Sequence, residues 1–105
     1  MAMSALRKWW IDHATAEADA TIAKMEEYGS GDLVAIGYQF ATMANRELSS
    51  DVEAMELGCT FYLLGKIARI TSAVERGDRG SSDTWFDIAV YAKMVLAARE
   101  EAWPV

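Results

Sequence analysis

Residues 51–76 read D-V-E-A-M-E-L-G-C-T-F-Y-L-L-G-K-I-A-R-I-T-S-A-V-E-R. The stretch contains no proline and fixes the fold class. Ser50 and Glu53 just before and inside it form a Ser-x-x-Glu capping box, a sequence signature of a helix start. Between Ala54 and Leu64, Met55, Leu57, Cys59, Phe61, Tyr62, Leu63 and Leu64 make the helix apolar on almost every side. A helix apolar all round is buried all round. A chain of 105 residues has little with which to surround it, so the stretch predicts a dimer or a larger homo-oligomer.

Outward from this segment the same periodicity continues. On the N-terminal side, Leu33, Ile36, Phe40, Met43 and Ala44 give one apolar face to a helix over about Asp32–Arg46, and Leu48-Ser49-Ser50 breaks it. Before it, Ile11, Ala14, Ala18, Ile22 and Met25 fall three and four apart, predicting a helix over Ser4–Tyr28 that stops at Gly29-Ser30-Gly31. On the C-terminal side, Gly77-Asp78-Arg79-Gly80-Ser81 is a turn. A fourth helix follows to about Ala102, capped by Ser82 or Asp83, with Ile88, Tyr91, Ala92, Val95 and Arg99 on one stripe. The single proline is Pro104, so the strongest helix breaker is absent from all four segments. The expectation is one all-α domain over residues 1–105, an antiparallel four-helix bundle completed by oligomerisation.

Composition narrows the function classes. Sixteen acidic and ten basic residues leave a net charge of −6, which argues against a nucleic-acid backbone binder. One cysteine and one histidine exclude an internal disulfide and a zinc finger. No apolar run approaches the ~20 residues of a membrane helix, and the opening M-A-M-S-A-L-R-K-W-W soon meets Asp12 and His13. The expected setting is cytoplasmic, without membrane partners. An acidic protein can still take a nucleotide when a divalent cation lies between carboxylate and phosphate.

Short turns make successive helices antiparallel, so axial levels can be compared at ~1.5 Å per residue. Reflection through residue 79 places Asp87 beside Ile70 and Thr71, and Asp83 near Glu75. The short second helix brings Lys24, Glu27 and Tyr28 to the Lys66–Ile70 level. One end of the bundle then gathers Glu27, Tyr28, Lys66, Arg69, Asp83, Asp87 and Tyr91. Asp83 and Asp87, at i and i+4, share a helix face, and two carboxylates with water suit Mg²⁺. Lys66 and Arg69, at i and i+3, suit phosphate oxygens. The competing reading makes Asp83 a helix-dipole partner and pairs Asp87 with Arg69. Glu53 and Glu56 form a second acidic pair, ~21 Å along the helix from the Asp87 level, able to join the first pair only across a subunit boundary. His13 reads as a surface or interface residue and Cys59 as core. Trp9 and Trp10 read as core on one side and partner contact on the other.

The motifs D-V-E-A-M (Asp51–Met55), G-K-I-A-R (Gly65–Arg69), D-T-W-F-D-I-A-V-Y-A (Asp83–Ala92) and E-Y-G (Glu27–Gly29) together resemble the small phage and actinobacterial MazG-like proteins. These belong to the all-α nucleotide pyrophosphohydrolase superfamily. The resemblance covers about two thirds of the chain. It implies a helical dimer or tetramer that uses Mg²⁺ to cleave a (d)NTP to monophosphate and pyrophosphate. Asp87 then matches the last Asp of the family's E-x-x-D motif. Thr84 stands where its Glu would be, with Asp83 one residue earlier. Where the family's other acidic motif belongs, this chain has Lys66 and Arg69; Glu53 and Glu56 lie farther along. The expected site has Asp83, Asp87 and Glu27 as catalytic carboxylates, Asp83 and Asp87 as metal ligands with Glu53 and Glu56 as the lesser pair, Lys66 and Arg69 on phosphate, and Tyr28 and Tyr91 around base or sugar. The alternative is an inert helical oligomer that acts by protein contact or sequesters a nucleotide signal.

Overall fold

The computed structural model describes residues 2–105, and among them it contains four helices and no strand: α1 (Ala2–Tyr28), α2 (Gly31–Met43), α3 (Asp51–Glu75) and α4 (Ser82–Arg99). Each end has a chemical cause. Gly29, at φ +69°, closes α1 through its N–H to the Met25 carbonyl. Gly77, at φ +78°, ends α3, with its own N–H on Val74 O and the Asp78 N–H on Ala73 O, the double closure of a Schellman motif. The same closure ends α2 at Asn45 and α4 at Glu101, both non-glycine residues with positive φ. These helices therefore stop at Met43 and Arg99, short of the predicted Arg46 and Ala102. The Ser50 Oγ accepts from Glu53 N at 3.3 Å as the capping box requires. The cap of α4 is Ser81, not Ser82 or Asp83: its Oγ accepts from Thr84 N at 3.1 Å.

The helices pack very unequally. α2 and α3 cross antiparallel at backbone contact. A Cβ at Gly37 would lie 1.6 Å from the Ala54 carbonyl oxygen, and one at Gly58 would lie 2.1 Å from that of Leu33. Around the crossing sit the buried side chains Leu33, Ala41, Ala54, Met55 and Cys59, three of them at zero exposure. α3 and α4 are antiparallel too, tied at three levels by Glu56–Arg99, Tyr62–Tyr91 and Lys66–Asp87. Reflection through residue 79 set Asp87 one turn too far along α3. The Gly77 closure and the following turn fold back along the helix until Gly80 packs on Ile70, so the last turn of α3 overshoots the start of α4.

α1 lies against this hairpin array with little backbone contact. Every residue from Ala2 to Ala16 is exposed, including Trp9 and Trp10, which form no core. Ile11 and Ile22 of the predicted stripe also face outward; the inward face carries Glu17 and Thr21 together with Met25, the one member of that stripe that is not exposed. α3 is not buried all round within one chain: Phe61, Leu64 and Ile67 stay 50%, 57% and 49% exposed. The four-helix set lacks enough apolar surface to cover them. Among the described residues, no helix is long and apolar enough to cross a membrane.

Candidate functional site

The thin packing of α1 leaves a cleft of about 390 Å³ bounded by α1, the start of α2, Tyr62 of α3 and one face of α4. Its back wall is aromatic and aliphatic. Tyr62 and Tyr91 stack with ring centroids 5.5 Å apart and planes 5° from parallel, and Phe86, Val90 and Met94 continue the wall along α4. Periodicity explains the alignment, since 87, 90, 91 and 94 recur on one face of α4. Burial, with the neighbouring Tyr62 and Asp87, holds the Tyr91 phenol above its ordinary pKa, so it remains a neutral donor.

Polar groups stand at the edges. Asp87 lines the cleft and accepts from Lys66 Nζ at 2.9 Å. The ion pair between helices therefore forms, but with Lys66 in place of Arg69. Lys66 is the more enclosed partner at 15% exposure against 40% for Asp87, so the carboxylate keeps an open side toward the cleft. Lys24, Tyr28 and Asp32 line the opposite rim. Trp103 closes one end. Its indole N–H donates to Ser30 Oγ at 2.7 Å, and that hydroxyl donates to Pro104 O at 2.8 Å. Ser30 is thus committed to the C-terminal segment and does not cap α2 through its side chain.

The structure brings together part of the expected constellation. Tyr28, Tyr91 and Asp87 meet at one cleft, and Lys24, placed at the same level but outside the expected site, joins them. Glu27, one residue from Tyr28, is exposed and outside the lining, because adjacent helical positions diverge by a large angle. Asp83 is exposed in the first turn of α4. Arg69 lines a different groove, around the α3–α4 turn. Glu53 is held by Ser49 and Arg46, which keep its carboxyl below the ordinary range. Glu56 takes both ends of the Arg99 guanidinium, with the same direction of shift. Both acids thus have structural partners. Tyr62, Asp32 and Trp103 complete the cleft without having been expected in the nucleotide site.

Cys59 is fully buried at the α2–α3 crossing, and desolvation pushes its thiol up to about 11, so it is core as expected. His13 is exposed and stacks on Trp9 at 4.1 Å.

Among the described residues, no three His, Cys, Asp or Glu side chains converge. The best placed carboxylate, Asp87, already faces an ammonium. Comparison with protein-family models, curated proteins and solved structures finds no match to this chain.

Proposed function

We propose that the chain is a nucleotide-binding relative of the MazG-like pyrophosphohydrolases, with the α1–α4 cleft as its site. One observation carries the reading: a parallel Tyr62–Tyr91 wall adjoins Asp87 and faces Lys24 across a cleft of about 390 Å³. That size suits a small ligand. A flat base has an aromatic surface to lie against. The Asp87 carboxylate accepts a hydrogen bond from an exocyclic amine or a ribose hydroxyl, and the hydrogen bond from Lys66 orients it. Lys24 supplies the cation for a phosphate, and Tyr28, 75% exposed at the rim, can fold over the sugar. No hydrolytic step is assigned in this proposal, since the Asp87 carboxylate already pairs with Lys66.

The chain self-associates in this proposal, since Phe61, Leu64 and Ile67 form an apolar face on α3 that one copy leaves open. A second reading, action by protein contact alone, has its own support in α1, where Leu6, Trp9, Trp10 and Ile11 are all about half exposed or more. A panel of nucleoside mono- and triphosphates separates the two. Binding is read by isothermal titration, with Mg²⁺ present and absent and products resolved by chromatography. Binding that weakens at least tenfold in Tyr91→Ala, without cleavage, supports the nucleotide-binding form. Release of monophosphate and pyrophosphate supports the enzymatic form. Absence of binding to every nucleotide overturns both and leaves the contact reading.

A further inference from the structure

A second concavity, sharing no lining residue with the cleft, lies along the end of α3 and the turn into α4. Three arginines line it: Arg69 from α3, Arg76 at its C-cap, and Arg79 from the turn. None of them is in an ion pair among the described residues. The one carboxylate in the lining, Asp78, is turned to its own backbone, where it accepts from the Arg79 N–H at 3.1 Å. This concentration of unpaired cation occurs in a chain whose net charge is −6. Elsewhere most of its basic side chains find carboxylates: Lys8, Arg46, Lys66, Lys93 and Arg99 form ion pairs, and only the separate Arg7 and Lys24 do not among the described residues.

The overshoot of α3 builds the groove. Arg69 and Arg76 lie two helical turns apart on one stripe with Ser72 between them, and the folded-back turn supplies Arg79 across from that stripe. Ser81 and Thr84 bring the start of α4 to the same surface, and its dipole adds to the positive field.

We propose that this groove binds a multiply charged phosphate group, of the di- or triphosphate class. Guanidiniums match phosphate oxygens in pairs. A single phosphate ester carries only about −1.5 to −2 charges at neutral pH, so three guanidiniums call for more than one phosphoryl group. The groove stands apart from the aromatic cleft, and its occupancy does not depend on the nucleotide reading.

Isothermal titration with inorganic phosphate, pyrophosphate and tripolyphosphate, at constant ionic strength and without divalent cations, tests the proposal. Pyrophosphate and tripolyphosphate are expected to bind at least tenfold more tightly than phosphate. R69Q and the double variant R76Q/R79Q are each expected to lose at least tenfold in affinity. All three positions are exposed, and circular dichroism checks that the helices persist; R76K/R79K, which keeps the charge, should retain most of the binding. R7Q on α1 should change affinity less than twofold. No binding above the ionic-strength control, an equal loss in R7Q, or a loss confined to K24Q would each overturn it. A nucleoside triphosphate that weakens in R76Q/R79Q identifies the source as a nucleotide tail. If it is unaffected while tripolyphosphate weakens, the ligand is a free polyphosphate.

Discussion

α2 meets α3 backbone to backbone, whereas α1 meets α4 across open space. The first seam is made by two glycines and small or flexible apolar side chains, with Ala54, Met55 and Cys59 at zero exposure. The second has a cleft at each end of its length, one of about 390 Å³ and one of about 270 Å³, sharing Thr21, Val90, Met94 and Trp103. At the second seam the most buried group of α1 is a carboxylate, Glu17. Its Oε1 lies 2.7 Å from Lys93 Nζ, out of line for a hydrogen bond. Close packing and open volume are thus divided between two seams of one small protein. The tight crossing stabilises the fold through dispersion and water exclusion, and the loose one leaves volume that a ligand can occupy.

The largest effect should come from breaking the tight seam. Gly37→Ala forces a Cβ against the Ala54 carbonyl, which is backbone and cannot rotate away. Urea unfolding should show a loss of about 3 kcal/mol or more, the upper end of the usual overpacking range. A loss below ~1 kcal/mol would mean that the helices do not cross at this distance. Next is the cross-link between α3 and α4. Asp87→Ala leaves the mostly enclosed Lys66 ammonium without its acceptor, and should cost about 1–2 kcal/mol after discounting for the open side of the pair.

A smaller, pH-dependent effect sits at the other end of the same hairpin. The Arg99 hydrogen bonds hold the Glu56 carboxyl below its ordinary pKa. A depressed carboxyl contributes stability that is complete above its unfolded-state value and is lost as pH falls through the folded-state value. The drop in urea midpoint between neutral pH and about pH 3 should therefore be smaller in Glu56→Gln than in the parent; an unchanged drop would mean that the pair does not couple to folding. Least affected should be the loose seam. Glu17→Leu replaces a buried acid with an apolar group in an apolar cleft, and is expected to change stability by no more than ~1 kcal/mol in either direction. A large loss there would show α1 to be anchored as firmly as α2.

The same division governs what was legible in the sequence. Helix number, the stop at Gly29 and the Ser50 cap depend on local chemistry and could be read directly. Asn45 and Glu101 were passed over as helix interior because their left-handed backbone has no obligatory residue type. Gly37 and Gly58 carried a readable signal, glycine inside an apolar helical face, which marks close approach as much as weakness. At the cleft, axial levels were enough to bring Lys24, Tyr28, Asp87 and Tyr91 together. They could not supply rotation about each helix, which sends Glu27 outward and separates Arg69 from Lys66. Trp103 lies beyond the last helix, and its bond to Ser30 spans 73 positions; no periodicity encodes such a return.

The Gly37 crossing also limits how this sequence can vary over generations. An overlarge side chain in a core is commonly accommodated when its neighbour shrinks. Here the obstruction to any side chain at 37 is a main-chain carbonyl, and Ala54 is already small. No exchange of residue at position 54 removes that oxygen, and the same holds for Gly58 against Leu33. Either glycine can be replaced only if the two helices move apart, which would open the Met55–Cys59 core in the same step.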